Sequence, residues 1–135
     1  MTKKILVILG HPNKKSFNAA LAESYIKGAK NSKAQVKYLK LIDLKFDPIF
    51  NPAIKQELET DLKKSQELIT WADHLVFVFP TWWGSMPALF KGFIDRTFTP
   101  GFAYKFTKKA ILPQQRLFKG KTARLIITFD GPKLF

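Results

Sequence analysis

The stretch that decides the fold is residues 75–104, LVFVFPTWWGSMPALFKGFIDRTFTPGFAY. It opens with an unbroken apolar run before Pro80, which has the length and composition of a buried strand. Pro87 then begins a helical pattern of apolar residues, because the fixed φ of proline suits the first turn of a helix. Between them lie Trp82 and Trp83, on a strand-to-helix loop where glycine and polar residues are usual. We expect such a loop to hold a flat, apolar ligand.

The remainder of the chain alternates strands and helices in the same way. Strands are predicted at residues 4–10, 35–41, 75–79 and 123–129, and helices at residues 16–31, 54–71 and 87–98, the first with Ser16 as its N-cap. Apolar strands separated by helices favour a parallel sheet covered on both faces. The sequence therefore predicts a single domain, residues 1–135, with a three-layer α/β fold and a doubly wound parallel sheet. Residues 99–121 lack clear periodicity, which is typical of a functional loop or of short elements.

Composition narrows the function classes. A hydrophobic fraction of 46% with 14% aromatic residues is typical of a globular domain. Without cysteine, neither a disulfide nor a thiolate metal site can form. His11 and His74 are far apart in the sequence, so no metal site is predicted. No signal peptide or membrane-spanning run is visible, which predicts a soluble, cytoplasmic protein.

The net charge of +13 comes from lysines scattered along the chain. Nucleic-acid-binding proteins usually concentrate charge on one face and use arginine for phosphate and base contacts. A nucleic-acid partner is therefore suggested by charge alone and is not predicted. A field of this sign would still attract anionic ligands such as nucleotide cofactors.

Three loops follow the carboxyl ends of predicted strands, where open α/β sheets bind their ligands. The first, residues 11–18 (HPNKKSFN), precedes a helix N-terminus, which favours a phosphate. His11, Ser16 and Asn18 could add hydrogen bonds, and the two lysines add positive potential. Alternatively, Ser16 only caps the helix and His11 only fills a turn. The loop has neither of the common glycine-rich nucleotide fingerprints.

The second loop, residues 80–87 (PTWWGSMP), offers backbone N–H groups and aromatic side chains together. A flavin needs both, because its ring is flat and apolar yet accepts hydrogen bonds at one end. The alternative is that both tryptophans are anchors in the core. The third loop, residues 128–132 (TFDGP), would approach the other side of the ring, with Gly131 permitting close contact. By itself it is only a turn.

These motifs occur together in a known family. H-P-N-x-x-S-F-N after the first strand, F-P-x-x-W-x-x-x-P-A-x-x-K-G-x-x-D-R after the third, and G-F-A-Y resemble the NAD(P)H dehydrogenase (quinone) family of flavodoxin-like quinone reductases. The resemblance implies a strand order of 2-1-3-4 and a bound flavin, FAD with FMN as the alternative. It also implies ping-pong transfer of a hydride from NAD(P)H, through flavin N5, to a quinone.

The resemblance also assigns residues. Phe102, Tyr104 and Trp83 would line the substrate pocket, at the interface of a homodimer, and no catalytic acid or base is predicted. The residues that would bind the cofactor are His11, Ser16, Phe17, Asn18, Pro80, Thr81, Trp82, Trp83, Gly84, Thr128, Phe129, Asp130 and Gly131.

One departure from the family pattern stands out. Family members continue beyond the fourth strand, through a tyrosine that stabilises the reduced flavin, to a fifth strand and further helices. We therefore expect a family member cut short near Phe135, whose fourth strand is an exposed apolar edge. Two alternatives to an active enzyme are a non-catalytic ancillary subunit of a potassium-efflux transporter and an inactive fragment.

Overall fold

The computed structural model describes residues 2–108 and 114–131 of the chain. Its strands are β1 (Lys4–Leu9), β2 (Gln35–Lys40), β3 (His74–Pro80), β4 (Tyr104–Phe106), β5 (Gln114–Arg116) and β6 (Thr122–Thr128). Its helices are α1 (Phe17–Asn31), α2 (Thr60–Trp71) and α3 (Ala88–Thr97). Four strands form a parallel sheet in the order β2-β1-β3-β6. The predicted order is confirmed, with β6 as the predicted fourth strand.

Both faces of this sheet are apolar, because the central strands carry apolar residues at successive positions. On one face, α1 packs with Ala19 and Ala22 against Val7 and Val76. On the other, α2 and α3 pack against side chains that include Leu6 and Phe77. The predicted three-layer arrangement is therefore confirmed, and the core lies above and below β1 and β3.

The start of α2 differs from the prediction. The helix was expected from residue 54, but it begins at Thr60, and Ile54 is exposed. The cause is Arg96 of α3, a buried side chain that donates hydrogen bonds to the carbonyl groups of Asp47 and Glu57 and to both carboxylate oxygens of Glu59. These bonds hold residues 47–59 in an irregular path across α3. The apolar residues before Thr60 have the spacing of a helix, but the hydrogen bonds of the buried Arg96 hold this segment in an irregular conformation instead.

Glu59 is the counter-ion of this buried arginine. Burial raises the pKa of its carboxyl group, but the backbone N–H groups of Glu59 and Asp47 and the Arg96 guanidinium outweigh that effect, so the pKa is lowered. The carboxylate therefore stays charged at the start of α2.

Phe17, one of the predicted cofactor-binding residues, is the first residue of α1 and is largely exposed. Residues 99–121 were expected to form a functional loop or short elements, and within them β4 and β5 form an antiparallel hairpin in which Tyr104 lies opposite Arg116. Residues 109–113 of this stretch lie outside the described residues. Strands of three residues are too short to give a periodic signal.

The fourth strand of the sheet is less covered than its sequence suggests. The apolar run of residues 123–129 is typical of a buried strand, but Leu125 and Ile127 of β6 are 59% and 43% exposed. Phe129 follows the strand and is also exposed. The expectation of an exposed apolar edge is confirmed. Across the described residues, no helix has the length and apolar character needed to cross a membrane.

The packing of α3 against the loop before α2 gives a first prediction. A methyl group at Gly92 would lie 2.6 Å from the carbonyl oxygen and 2.8 Å from the Cα of Pro48, so backbone would have to move. We expect Gly92→Ala to lower the free energy of unfolding by about 1–3 kcal/mol, the usual cost of overpacking. Urea titration followed by circular dichroism measures this change.

Gly28 is the matched control, since it also lies in a helix but a methyl group there would meet nothing within 4 Å. Gly28→Ala should stabilise the chain by up to about 1 kcal/mol. Equal stability of the Gly92→Ala variant and the wild type would contradict the packing described here.

Candidate functional site

Three loops leave the carboxyl edge of the sheet side by side, because β1, β3 and β6 are neighbours. The ladder of hydrogen bonds continues into them. The N–H of Gly10 donates to the Val78 carbonyl at 2.8 Å, and the N–H of Thr81 donates to the Thr128 carbonyl at 2.7 Å. The loops therefore start in register, at the edge where parallel sheets bind ligands.

The first loop ends in the predicted cap of α1. Ser16 is extended, and its Oγ accepts a hydrogen bond from the N–H of Ala19 at 3.1 Å, so the N-cap is confirmed. The N–H groups of Phe17 and Asn18 lie in the first turn, where a helix supplies no partner for them. Within α1, which the structure describes in full, the first turn has no acidic residue. This helix end is suited to an anion.

His11 has a defined orientation in this loop. The N–H of Asn13 donates to its Nδ1 at 2.9 Å, so in the neutral ring the proton lies on Nε2, which remains a donor. The imidazole also packs edge-to-face with Trp82, with ring centroids 5.4 Å apart. His11 therefore does fill a turn, and it also joins the first loop to the second.

Asn18 joins the first loop to the third. Its side chain is 3% exposed, and its Oδ1 accepts a hydrogen bond from Oγ1 of Thr128 at 3.1 Å. In the described part of the chain, Nδ2 of Asn18 has no partner. A buried donor without an acceptor costs about 1–3 kcal/mol. The amide is thus a stability cost that a ligand acceptor could relieve.

The second loop presents its aromatic residues through a tight turn. The backbones of Trp82 and Ser85 exchange two hydrogen bonds, 2.8 and 3.1 Å long, around Trp83 and Gly84. Both central residues have positive φ, +52° and +72° respectively. Gly84 adopts this conformation readily, but a bulky residue such as Trp83 does so only at a cost.

Trp83 is fully exposed at the tip of this turn, and Trp82 is partly exposed. The alternative that both tryptophans are anchors in the core is therefore wrong. The turn holds a large aromatic ring in solvent, where it gains nothing from burial. Ser85, which sequence reasoning did not single out, closes the turn through its backbone alone. In the sequence T-W-W-G, the glycine alone indicated a tight turn at this position.

The first loop has less free positive charge than its two lysines suggest. Lys14 pairs with Asp43 at 2.8 Å, and both side chains are about half exposed, so this lysine already has a partner. Two groups away from the three loops have displaced pKa values. Burial and the nearby Glu23 raise the pKa of Tyr38 to about 12. Burial, Lys3 and Arg124 lower the pKa of His74. The three loops offer hydrogen-bond donors and aromatic surface.

The other predicted residues fall into two groups. Pro80 ends β3 and is buried, Thr81 is half-buried, and Gly84, Phe129, Asp130 and Gly131 are exposed at the same edge of the sheet. Pro132 of the third loop lies outside the described residues. Of the three predicted substrate residues, Trp83 lies in the second loop, and the other two lie elsewhere on the chain: the ring centroid of Phe102 is 5.0 Å from that of Phe118, and that of Tyr104 is 5.5 Å from that of Phe106. In the described residues, their aromatic partners are outside the three loops.

Across the described residues, no group of three or more His, Asp or Glu side chains could hold a metal ion.

Comparison with known proteins agrees with this geometry. Residues 3–135 match a protein family described as flavodoxin-like fold. NAD(P)H dehydrogenase (quinone) 1 of Cavia porcellus is 32% identical over an alignment that covers 96% of this chain and 54% of that protein. The chain thus spans about half the length of this curated relative.

Solved structures share the fold. The Streptococcus mutans UA159 protein Smu.1420 is 37% identical, with a TM-score of 0.75 over 96% of this chain and 70% of that one. An FMN-dependent NADH-azoreductase from Bacillus anthracis str. Ames Ancestor, solved in complex with FMN, has a TM-score of 0.75 at 17% identity over 98% of this chain and 72% of that one. The sequence match, the strand order and the three linked loops together establish that this chain belongs to the flavodoxin-like fold family that includes the NAD(P)H dehydrogenases (quinone).

Proposed function

We propose that the chain is the flavin-binding part of an NAD(P)H:quinone oxidoreductase. The observation that carries the proposal is the direct linkage of three loops at one edge of the sheet. His11 contacts Trp82, Asn18 bonds Thr128, and Thr128 bonds Thr81. The names of the curated relatives, which are oxidoreductases acting on quinones, support the same activity.

The residues present fit a flavin on three counts. The first turn of α1 would bind phosphate through the N–H groups of Phe17 and Asn18, aided by the helix dipole. Among the described residues, the buried Nδ2 of Asn18 has no acceptor, and a polar cofactor could supply one. The turn at Trp83 exposes an aromatic face and backbone groups beside each other. We propose FAD as the cofactor, with FMN as the alternative.

The chemistry that a bound flavin would supply is two-electron transfer, with a hydride from NAD(P)H taken up at N5 in one half-reaction and passed to a quinone in the next. This chain would contribute binding and orientation. His11 would donate through Nε2–H, and the residues Thr128, Phe129, Asp130 and Gly131 would border the polar end of the ring. Hydride transfer depends on the positioning of the reactants more than on an acid or base. A site whose groups bind and orient the flavin is therefore suited to it.

The substrate side of the pocket is proposed to come from a homodimer. Phe102 and Tyr104 have their aromatic partners outside the three loops of their own chain. We therefore propose that they line the pocket over the flavin of a partner subunit. The ancillary transporter subunit is not favoured, since the curated relatives are named as oxidoreductases.

The activity is tested by absorbance. The purified chain, incubated with FAD or FMN and desalted, should gain a flavin spectrum, bleach when NADPH or NADH is added without oxygen, and recover its colour when benzoquinone follows. Flavin retention without bleaching would indicate a binding protein and contradict the enzyme. A chain that retains neither flavin would contradict both.

The buried amide of Asn18 gives a second prediction. Asn18→Leu removes a donor that has no partner among the described residues, which favours folding, but it also removes the Oδ1 that accepts from Thr128, which costs about 0.5–1.5 kcal/mol. Because these effects oppose each other, the flavin-free variant should lie within about 1.5 kcal/mol of the wild type. Its flavin affinity should fall about tenfold, the equivalent of one hydrogen bond of about 1.4 kcal/mol. Urea titration and quenching of flavin fluorescence measure the two effects.

Asn31→Leu is the control, since Asn31 is an exposed residue at the far end of α1. It should leave flavin affinity unchanged. If Asn18→Leu bound flavin as tightly as the wild type, the unpaired amide would have no part in the site.

A further inference from the structure

An irregular segment, residues 47–59, crosses α3 and holds large apolar side chains in solvent; we call it the strap. Ile49, Phe50 and Ile54 of the strap expose 70%, 52% and 59% of their surface. Single exposed apolar residues are normal on a protein, but these three lie within six consecutive residues. Apolar side chains clustered in this way usually mark a site of interaction.

Two shallow grooves continue the apolar surface of the strap. The first, about 330 Å³ in volume, lies between Phe50, Ile54 and the end of α3. The second, about 250 Å³ in volume, is lined by Phe50, Phe98 and Tyr104 of β4. Because Phe50 lines both grooves, the strap and the start of β4 form one surface. Tyr104 is also the residue proposed to line the pocket of a partner subunit.

Buried hydrogen bonds hold the strap in its irregular conformation. The guanidinium of Arg96, which is 3% exposed, donates to the carbonyl groups of Asp47 and Glu57, near the two ends of the strap. It also donates to both carboxylate oxygens of Glu59. One buried side chain of α3 therefore fixes the strap at both ends.

The middle of the strap is braced by a side chain of its own. Gln56 accepts a hydrogen bond from the N–H of Asn51 and donates to the carbonyl of Ile49, both at 2.8 Å. Apolar side chains held in water gain nothing from burial, and a buried ion pair is often no more stabilising than apolar side chains of the same volume. Packing within the described residues explains neither feature, whereas a second molecule that covers the strap would explain both.

We infer that Arg96 is a positioning residue that presents the strap as the docking surface for a second copy of this chain. This rests on the homodimer of the proposed function, because Tyr104, which would line the partner subunit's pocket, shares a groove with Phe50. A partner subunit whose pocket contains Tyr104 would therefore also cover Phe50.

Charge favours a second copy at this surface. The chain carries a net charge of +13, but the strap contains one lysine and three acidic residues, a net charge of −2. Like-charged molecules approach each other most readily where the local charge is low or opposite in sign. The strap is thus a place where a second basic molecule can lie with little repulsion.

A matched pair of lysine variants tests the surface. Phe50 and Ile42 are 52% and 41% exposed, so the fold should tolerate a lysine at either position, and both variants gain the same charge. Sedimentation equilibrium of the flavin-free chain should give a dimer for the wild type and for Ile42→Lys, whose substitution lies on a 3₁₀ turn outside the strap. Phe50→Lys should be monomeric at the same concentration.

The role of Arg96 is tested by a substitution that keeps its charge. Lysine cannot form the two-pronged contact with Glu59, so Arg96→Lys should loosen the strap and weaken dimerisation about tenfold, as expected for the loss of one hydrogen bond. Hydrogen exchange should be faster at the N–H groups of Asp47 and Asn51, which are bonded within the strap, and unchanged in β1. Arg124→Lys, the same substitution on β6, is the control and should change neither measurement. Glu59→Gln should act in the same direction as Arg96→Lys, so either variant tests the role of Arg96 if the other does not fold.

Three results would each overturn the inference: a monomeric wild type, a dimeric Phe50→Lys variant, or dimerisation and strap exchange in Arg96→Lys and Glu59→Gln equal to those of the wild type. Flavin titration of the same samples separates the docking surface from the flavin site. A monomer that binds flavin would overturn the docking surface alone, and a dimer that binds no flavin would contradict the flavin site alone.

Discussion

Thr128 is the residue on which the carboxyl edge of the sheet depends. Its carbonyl accepts the N–H of Thr81 at 2.7 Å, and its hydroxyl donates to Oδ1 of Asn18 at 3.1 Å. One residue at the end of β6 thereby fixes the loop after β3 and the N-terminus of α1. The contact between His11 and Trp82 links the remaining pair of loops. Because all three loops are fixed to one another, the edge can present donors and an aromatic ring in a fixed arrangement.

This arrangement carries features that cost stability. Asn18 buries a donor that has no partner in the described part of the chain, and Trp83 combines positive φ with full exposure. Packing within the described chain explains neither feature. Sites that break local rules in this way are where ligands usually bind. The costs are local, because the core around β1 and β3 is closely packed and apolar.

The sequence predicted what depends on local pattern and failed where distant side chains decide. The strands, their order and the Ser16 cap follow from apolar runs and a capping residue, and all three loops could be placed from them. The start of α2 could not, because Arg96 lies 37 residues beyond Glu59 in the chain and binds it only after folding. The bond between Asn18 and Thr128 spans 110 residues and has no periodic signal either. Motif resemblance, not periodicity, brought these two residues together.

Removal of one hydroxyl group tests the role of Thr128 at this edge of the sheet. Thr128→Val deletes the bond to Asn18 and keeps the shape of the side chain, while Thr122→Val deletes a hydroxyl at the other end of the same strand, bonded to Nδ1 of His74 at 2.7 Å. Titration of each variant with FAD and FMN gives the dissociation constants. We predict that Thr128→Val weakens flavin binding about tenfold, as expected for one hydrogen bond at the site, and that Thr122→Val leaves it unchanged. Equal affinity of both variants and the wild type would contradict a flavin site organised around Thr128.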